Sequence, residues 1–458
     1  MNFSESLAYL YQLGNEVLTM NLGLETIRRL CAELGDPQDS FLAIHVAGTN
    51  GKGSTVAMTE AILCAAGLRT GLYTSPHLLS VTERIRVAGE PIPTEDFARL
   101  ATRVRLAGDH LLARGDIPAR PTFFEQVTAI GYLWFAEQRL DLAVLEVGLG
   151  GRLDATNLCR PLLTAITPIG FDHQAYLGNT LAAIAGEKAG ILKPGIPVVV
   201  APQDSEALSA ILARAAAVGA PVLEPLPEAT PLRTTPDLRQ WVEFRIKEQS
   251  LPVLLHLRGA HQVTNARVAV SLIEALRARG WSIPLSAIAE GLAHTSWPGR
   301  LDLRLGPAGH PVLLDGAHNA AGAQVLRDFL LECCPDRPRT LLFGAMRDKD
   351  IPAITGLLFP LFDRLILCGI DTPRALDPAE IPAPDSALRA PSVLDALALA
   401  SRLSSSDGMI VACGSIAMVA TLTPLPPLPG GEGEEEGMRV EGRGRKQLRK
   451  SEEGGGSG

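Results

Sequence analysis

The fold of this chain is decided by the stretch His45-Val46-Ala47-Gly48-Thr49-Asn50-Gly51-Lys52-Gly53-Ser54-Thr55, which joins a predicted strand to a predicted helix. The apolar run 41–47 predicts a buried strand, and residues 55–66 predict a helix that ends before Gly67. The turn between them is rich in glycine, which lets backbone amides approach phosphate oxygens, and the helix N-terminus adds partial positive charge. We therefore predict a phosphate-binding loop.

Individual residues of this loop have separate predicted roles. Lys52 would neutralise the outer phosphates, and Ser54 or Thr55 would reach a metal ion that bridges them. The spacing departs from the standard phosphate-loop motif, because the first two glycines flank two residues and a third glycine separates Lys52 from Ser54. The alternative is a glycine-rich surface turn, which the flanking strand and helix disfavour.

Composition narrows the class of protein. The 458 residues favour two domains, and a hydrophobic content of 46% with 20% charged residues is sufficient for ordinary globular cores. A net charge of −8 argues against a general nucleic-acid partner. No apolar run reaches the length of a membrane span, and the first ten residues lack the pattern of a secretory signal. The seven cysteines are scattered without CxxC spacing, so we expect neither disulfides nor a zinc site, and a cytoplasmic location.

Strands and helices alternate along most of the chain, which predicts an α/β fold. Further apolar strands are expected at 70–73, 141–147, 163–167 and 196–201. With helices between them, they predict a mostly parallel, doubly wound sheet with helices on both faces. Residues 225–258 lose this pattern and predict short antiparallel strands.

A second, smaller α/β domain of the Rossmann-like kind is predicted after Trp297-Pro298-Gly299-Arg300. Strands are expected near 311–315, 340–344, 364–369 and 409–412. We set the domains at 1–296 and 297–420. Residues 421–458 are rich in proline, glycine and charge, and we predict that they are disordered because they cannot offset the entropy of ordering.

Candidate metal ligands follow the predicted strands. A phosphate loop needs a metal partner, which in such sheets lies at the carboxyl end of a neighbouring strand. Glu146 has that position, and Ser75, in a loop that Pro76 constrains, is a candidate hydroxyl ligand. Magnesium prefers hard oxygen ligands. His173 ends the next strand, and taken alone it is more typical of a capping or core histidine.

Four further polar residues are candidates with ordinary alternatives. Lys188 follows Glu187 on a predicted helix, where a solvated or ion-paired lysine is the default interpretation. Asp315 and His318 lie between a strand and a helix of the second domain, and helix capping is the alternative for Asp315. Arg300, at the predicted boundary, can reach a nucleotide held between the domains.

Two aromatic residues begin a predicted helix of 122–138. Thr122 and Glu125 have the spacing of a capping box, and Phe123 and Phe124 lie between them. These rings could stack on a flat heterocycle, although their spacing alone favours core packing.

Nine motifs in order, from about residue 7 to 420, resemble the folylpolyglutamate synthase/dihydrofolate synthase family of the wider Mur ligase group. The motifs are Gly48–Ser54, Thr74–Leu78, Phe123–Glu125, Glu146–Asn157, Asp172-His173, Glu187–Gly190, His261-Gln262 with Asn265-Ala266, Trp297–Arg300 and Asp315–Asn319.

This resemblance implies an ATP-dependent ligase with an ATP-binding central domain over 1–296 and a glutamate-ligase domain over 297–420. A carboxylate of the folate substrate, or of dihydropteroate, would attack the γ-phosphate of ATP to form an acyl phosphate. The amine of L-glutamate would then displace phosphate. Positioning, Lys52 and Mg²⁺ at two sites would manage the charge.

The resemblance also implies residue roles. The ATP-binding residues would be Gly48, Thr49, Asn50, Gly51, Lys52, Gly53, Ser54, Asn265, Arg300 and Asp315. The metal ligands would be Ser75, Glu146 and His173. Lys52, Lys188 and His318 would be catalytic, with Lys188 carbamylated at the second magnesium and His318 near glutamate. The pterin-binding residues would be Arg84, Phe123, Phe124 and Arg152.

Two other functions stay open at this point. A Mur ligase that acts on UDP-linked muramoyl peptides needs a UDP-binding domain before the phosphate loop, and the 47 residues before Gly48 are fewer than we expect for one. A nucleotide-binding switch or scaffold would make the carboxylates, Arg300 and His318 dispensable. For the ligase we expect ATP, L-glutamate and a folate or dihydropteroate as partners, no nucleic acid or membrane, and a monomer.

Overall fold

The computed structural model describes residues 1–14 and 23–427. The predicted tail beyond residue 427 lies outside this range, so its disorder stays a prediction. Within the two described ranges, no helix is both long enough and apolar enough to cross a membrane.

The first sheet is built around the strand that leads into the phosphate loop. Its strands are β1 (Ala43–Ala47), β2 (Thr70–Tyr73), β3 (Ile85–Val87), β4 (Glu90–Pro91), β5 (Leu142–Glu146), β6 (Pro161–Ile166), β7 (Val198–Val200) and β8 (Val222–Leu223). They lie in the order β4-β3-β2-β5-β1-β6-β7-β8, and all neighbours from β2 to β8 are parallel. Only the β2–β3 and β3–β4 pairings are antiparallel. The predicted mostly parallel sheet is confirmed.

Helices cover both faces of this sheet. They are α1 (Phe3–Gln12), α2 (Glu25–Glu33), α3 (Lys52–Ala65), α4 (Thr94–Ala113), α5 (Phe123–Gln138), α6 (Gln174–Leu177), α7 (Leu181–Lys188), α8 (Ser205–Val218), α9 (Ala260–Arg277) and α10 (Leu285–His294). Alternate residues of β1 face opposite sides. Ile44 and Val46 pack in the core with α3, α9 and α10, whereas Ala43 packs with α2, α4 and α5. β1 is therefore buried on both sides, as its apolar run predicts.

A small antiparallel sheet follows, as predicted for 225–258. Its strands β9 (Glu228–Thr234), β10 (Gln240–Ile246) and β11 (Gln249–Leu255) lie in the order β11-β10-β9. Val242 and Phe244 on β10 pack into the core shared with α9. The sheet thereby covers the outer face of the helices that flank β1.

The third sheet forms the predicted second α/β region. Its strands are β12 (Asp302–Leu305), β13 (Pro311–Leu314), β14 (Arg339–Phe343), β15 (Arg364–Cys368), β16 (Leu388–Ala390) and β17 (Met409–Cys413). Its helices are α11 (Ala320–Cys333), α12 (Ile351–Leu358), α13 (Val393–Leu403) and α14 (Ile416–Leu422). The order is β12-β13-β17-β14-β15-β16, with only β12 antiparallel to its neighbour. We refer to residues 1–296 and 297–427 as the N-terminal and C-terminal parts.

The end of the C-terminal part differs from the prediction. Disorder was expected from residue 421, yet α14 continues to Leu422, which is buried. The next residues pair with β12, since the Leu305 amide donates to the Pro426 carbonyl at 2.7 Å. Residues 421–427 are therefore ordered, because an edge strand that the sequence analysis missed offers them hydrogen-bond partners. The division into domains at 296/297 stays a prediction, since both parts belong to one compact unit, Met1–Leu428.

Candidate active site

A cavity of about 440 Å³ lies where the carboxyl ends of β1, β5 and β6 face the strand-to-helix loops of the C-terminal part. Most of the predicted site residues line it, although they come from distant parts of the chain. They are Thr49, Asn50, Gly51, Lys52, Gly53, Ser54, Ser75, Phe124, Glu146, His173, Lys188, Asn265, Arg300, Asp315 and His318. Gly48, Arg84, Phe123 and Arg152 do not line it.

The phosphate loop is tightly folded because two of its glycines have conformations that other residues rarely adopt. Gly48 has φ 152°, and a Cβ there would lie 1.8 Å from Thr167 Oγ1. Gly51 has φ 85° and caps α3, which begins at Lys52, three residues earlier than predicted. The Lys52 ammonium donates to the carbonyls of Gly48 at 3.0 Å and Thr49 at 3.2 Å. The backbone of the loop therefore holds the Lys52 ammonium group at the mouth of the cavity.

The side chains that cover this loop come from α9 and the predicted domain boundary. A Cβ on Gly51 would lie 2.3 Å from Asn265 Oδ1, and a Cβ on Gly53 would lie 2.8 Å from Trp297 Nε1. The Gln262 amide donates to Ser54 Oγ at 3.2 Å. Close packing against Trp297, and not backbone conformation, thus favours glycine at position 53, which lies within α3.

The candidate metal ligands Ser75, Glu146 and His173 all line the cavity, and they follow or end β2, β5 and β6 in the chain. Glu146 Oε2 accepts a hydrogen bond from the Ser75 amide at 3.1 Å. Burial raises the pKa of the Glu146 carboxyl, although nearby Lys52 opposes this. Burial lowers the pKa of His173 to about 4, so its imidazole is neutral at pH 7. Across the described ranges, no three His, Cys, Asp or Glu side chains form a ready-made metal cluster. The donor set nevertheless fits a hard cation that takes further oxygens from phosphate.

Lys188 is buried at the end of α7 and is not the solvated lysine of the default interpretation. Its ammonium donates to the Gly48 carbonyl at 2.8 Å, the same oxygen that Lys52 contacts. Burial and the charge of Lys52 lower the pKa of Lys188 to about 7. A substantial fraction of this side chain is therefore a neutral amine at physiological pH.

The opposite wall is formed by the loop after β13. Asp315 is buried, and its oxygens accept hydrogen bonds from the amides of Leu301 at 2.9 Å and Ala317 at 2.8 Å. Burial raises the pKa of Asp315, and the Arg300 guanidinium opposes this. His318 Nδ1 donates to the Gly316 carbonyl at 2.7 Å, which directs Nε2 away from the loop.

Asp172 connects the two walls of the cavity. Its carboxylate accepts a hydrogen bond from Lys349 Nζ at 3.0 Å and from Asn319 Nδ2 at 3.2 Å, and His318 Nε2 lies 3.6 Å away. Burial alone would raise the pKa of Asp172, but His318, His173 and Lys349 hold it well below its usual range. Lys349 was not predicted as a site residue, because nothing in its local sequence indicates a partner 177 residues earlier.

Comparison with known proteins agrees with this geometry. The family model of the Mur ligase middle domain matches residues 46–273, and that of the Mur ligase glutamate ligase domain matches residues 299–416. The chain is 38% identical over 359 residues to a Bacillus subtilis dihydrofolate synthase/folylpolyglutamate synthase, covering 77% of this chain and 82% of the relative. The chain belongs to the folylpolyglutamate synthase/dihydrofolate synthase family. It is therefore a ligase of the Mur ligase group.

Solved structures of this synthase family superpose closely. A Mycobacterium tuberculosis folylpolyglutamate synthase complexed with ADP has a TM-score of 0.84 at 32% identity, with coverage of 93% of this chain and 100% of that one. FolC of E. coli in complex with DHPP and ADP has a TM-score of 0.80 at 30% identity, with coverage of 92% and 97%.

Three of the predicted pterin-binding residues do not line the cavity. They are Arg84, Phe123 and Arg152. Phe123 is buried among the N-terminal helices, where it stacks on Tyr11 with a centroid distance of 5.8 Å. The Arg84 guanidinium lies 5.2 Å from the Phe123 ring centroid. Arg152, which is half exposed, pairs with Glu187 at 2.9 Å. Their part in shaping the substrate pocket stays a prediction, since the core holds Arg84 and Phe123 and a surface ion pair holds Arg152.

A carboxylate that the sequence analysis did not single out lines the cavity beside Phe124. A Cβ on Gly148 would lie 2.5 Å from the Phe124 ring and 3.3 Å from Asp154 Oδ2, so ring and carboxylate border one small space. Asp154 Oδ2 accepts a hydrogen bond from the Leu149 amide at 2.9 Å. Its signal was present, because Asp154 belongs to the motif 146–157 that carried the resemblance to this synthase family.

Proposed function

We propose that the protein uses ATP to join L-glutamate to a folate, as a folylpolyglutamate synthase. One observation carries the proposal: Lys52, Glu146 and Asp315 line a single cavity, so one nucleotide can contact all three. The names of the relatives and the ADP in the superposed structures support the same chemistry. Dihydropteroate is a second proposed acceptor, since the B. subtilis relative is named for both activities.

The proposed reaction needs little covalent chemistry from the protein. A carboxylate oxygen of the folate attacks the γ-phosphorus of ATP, ADP leaves, and an acyl phosphate forms. The amine of L-glutamate then attacks the acyl carbon, phosphate leaves, and the nitrogen loses a proton. Lys52 and Arg300 stabilise the phosphate charges, and the protein accelerates both steps by holding the reactants in line.

We propose that Ser75, Glu146 and His173 hold Mg²⁺. These residues offer oxygen atoms and a neutral imidazole as donors. All three line the same cavity as the phosphate loop. When bound, magnesium would supply charge neutralisation for the phosphates. A bound magnesium ion would explain why the Glu146 carboxyl group is buried at the same site as Lys52.

Lys188 is proposed to carry a carbamate. In this step the neutral amine adds to CO₂ and the nitrogen loses a proton, which gives an anionic carbamate that would help hold a second magnesium. Support comes from its burial, its contact with the Gly48 carbonyl at 2.8 Å, and its pKa of about 7. The Lys52 ammonium would then lie beside the anionic carbamate of Lys188 and not beside a second ammonium group.

The Lys188→Ala variant should therefore lose most activity, about 100-fold or more in kcat, because the anion and its position are both removed. Added short carboxylates such as acetate or propionate should restore part of it. Steady-state ADP release with and without the added acid measures this effect. The control is Arg160→Ala, because Arg160 is exposed and lies just before β6, at the end of that strand away from the cavity. Full activity of Lys188→Ala would remove Lys188 from the site.

The two substrates have separate proposed positions. The folate heterocycle would stack on Phe124, with Asp154 as hydrogen-bond acceptor. Glutamate would lie near His318 on the C-terminal wall, where Lys349 and Arg374 supply positive charge for its carboxylates. The domain boundary at 296/297, the monomeric state and the cytoplasmic location stay sequence-based proposals.

The deciding experiment measures glutamate-dependent ADP release with tetrahydrofolate, with dihydropteroate and with a UDP-linked muramoyl peptide. We expect release with tetrahydrofolate, and the dihydropteroate rate decides the second acceptor. Release with only the UDP-linked substrate would favour a peptidoglycan ligase. Nucleotide binding without release under any condition would favour a switch or scaffold.

A further inference from the structure

A histidine that the proposed reaction does not use is buried in β1, at the centre of the first sheet. His45 has no exposed surface and lies between the core residues Ile44 and Val46. Its Nε2 atom lies 2.8 Å from Thr156 Oγ1, on the face of the sheet that α5 covers. This places an imidazole directly behind the loop that presents Asp154 to the cavity.

The direction of the hydrogen bonds follows from counting protons. The Thr156 hydroxyl donates to Asp154 Oδ1 at 2.5 Å. A hydroxyl has one proton, so Thr156 Oγ1 must accept its second hydrogen bond, and His45 must donate it from Nε2–H. The result is a buried chain of donors from His45 through Thr156 to Asp154, which we call the His45 relay.

The His45 relay occupies one oxygen of Asp154 and leaves the other for a ligand. Oδ1 also accepts a hydrogen bond from the Thr156 amide at 3.0 Å, so both of its acceptor positions are filled. Oδ2 accepts from the Leu149 amide and is the oxygen next to Gly148 and Phe124. The Gly148 amide also interacts with this carboxylate, and Oδ2 is the oxygen that a ligand N–H donor in the cavity would reach.

Histidine is a costly choice at this position. Across the described part of the chain, His45 Nδ1 finds no hydrogen-bond partner although it is buried. Burial and nearby Lys193 keep the ring neutral by lowering the pKa of His45 to about 3. Buried polar groups without partners are destabilising, and a leucine would fill the same space without that cost.

The loop that carries Asp154 has other hydrogen bonds besides those of the relay. The Tyr132 hydroxyl already donates to the Thr156 carbonyl at 3.0 Å, and Asn157 Nδ2 donates to the Arg152 carbonyl at 3.0 Å. These bonds fix the backbone of residues 152–157. What His45 adds is the orientation of the Thr156 hydroxyl.

We propose that His45 is a positioning residue for substrate recognition, acting through Thr156 to hold the Asp154 carboxylate ready for an N–H donor of the folate heterocycle. The inference rests on the proposed function, since it takes the ligand of Asp154 to be the flat, amino-substituted heterocycle of a folate. It predicts that loss of the relay weakens folate binding and spares the nucleotide.

Two matched pairs of variants test the relay by steady-state kinetics of ADP release. His45→Leu and Thr156→Val remove its donors, whereas His45→Gln and Thr156→Ser keep an N–H or hydroxyl at nearly the same place. We expect the folate KM to rise about tenfold or more in Thr156→Val, which loses a hydrogen bond to a carboxylate, and about fivefold in His45→Leu, which loses one between neutral groups. The KM values for ATP and glutamate should stay within about twofold, and the second pair should stay within about threefold of wild type in folate KM.

An unchanged folate KM in both His45→Leu and Thr156→Val would overturn the inference. So would parallel rises in the KM values for folate and ATP, which would indicate a general disturbance of the phosphate loop. If His45→Leu does not fold, the Thr156 pair decides.

A spectroscopic measurement separates this inference from the proposed function. In ¹⁵N-labelled wild-type protein, the His45 ring should show the neutral Nε2–H tautomer, and its ring nitrogen shifts should move when tetrahydrofolate is added and not when a non-hydrolysable ATP analogue is added. Absence of ADP release with every folate would reject the proposed function, whatever the spectrum. A normal wild-type rate with a His45 ring in the Nδ1–H tautomer, or one insensitive to folate, would reject the relay alone.

Discussion

Two lysine side chains converge on a single carbonyl oxygen, and that contact governs the chemistry of the phosphate loop at the scale of single residues. Lys52 and Lys188 both donate to the Gly48 carbonyl, and burial first, then the charge of Lys52, lowers the pKa of Lys188. The sequence marks Lys52 through the glycines around it. It does not mark Lys188, because burial depends on residues 140 positions away.

Adjacent residues on a helix also show what single positions allow. Phe123 and Phe124 are both aromatic, but successive helical side chains point about 100° apart. Phe123 therefore enters the core while Phe124 reaches the cavity. The sequence alone could have indicated that only one of them faces a ligand, and the position of the core decides which.

His45 should make the stability of the protein depend on pH. Its pKa is about 3 in the folded protein, against an ordinary value near 6.5, so between these limits the unfolded chain binds a proton that the folded protein does not. The free energy of unfolding therefore decreases as pH falls from about 6.5 towards 3, and the decrease that His45 causes reaches about 2 kcal/mol at pH 5. The variant His45→Leu does not have this decrease.

Urea unfolding at pH 7 and pH 5 measures this effect. The free energy of unfolding of His45→Leu, relative to wild type, should increase by about 2 kcal/mol on going to pH 5. Equal differences at the two pH values would mean that His45 is protonated in the folded protein.

At the scale of elements, long apolar runs were predicted well and short edges were not. The central strands β1, β5 and β6 are within two residues of their predicted ends, because strands buried on both faces have nearly continuous apolar sequences. β12 and β16, with four and three residues, were missed, since such short strands have no clear period. The helix after the phosphate loop begins three residues early because Gly51 caps it in a left-handed conformation.

Gly53→Ala tests how closely α3 and the predicted domain boundary are packed. Alanine normally stabilises a helix by about 1 kcal/mol relative to glycine, but here its Cβ would lie 2.8 Å from Trp297 Nε1. The indole must move, so we expect a three- to tenfold weaker affinity for ATP, about 1 kcal/mol, measured by calorimetric titration.

Gly356→Ala in α12 is the matched control. Nothing lies within 4 Å of the added methyl group, so this variant should gain about 0.5–1 kcal/mol of stability and bind ATP as wild type does. Unchanged ATP affinity in Gly53→Ala would show that Trp297 does not constrain the loop.

For the whole molecule, the decisive arrangement is a cavity with one wall from each part of the chain. The order of motifs predicted both sheets and most of the cavity lining. It could not predict which residues meet across the cavity, because Asp172, Asn319 and Lys349 approach only once both sheets are placed. The extent of the C-terminal part was also underestimated, since residues 421–427 pack on an edge that only the assembled sheet provides.

Lys349→Met should separate the two walls. The variant leaves the partly buried Asp172 carboxylate without its ammonium partner at 3.0 Å, and the loss of such a pair costs more than the loss of an exposed one. We expect kcat to fall about tenfold or more. Small-angle scattering with an ATP analogue and folate bound should show a larger radius of gyration than that of wild type.

Arg347→Met controls for this change, because Arg347 lies two residues away and its exposed side chain pairs with Glu380 on the surface. It should keep kcat within about twofold. Equal rates for the two variants would show that the contact between Lys349 and Asp172 does not position the walls.

The hold of the phosphate loop on its own cation has a consequence for nucleotide discrimination. Lys52 has two neutral acceptors before any nucleotide arrives, so a ligand gains from this lysine only by offering better ones. The charged oxygens of a terminal phosphate are better acceptors, whereas a nucleoside monophosphate has no β- or γ-phosphate to offer Lys52. We therefore expect the affinity for an adenine nucleotide to rise with the length of its phosphate chain, and Lys52 to keep its backbone contacts when AMP binds.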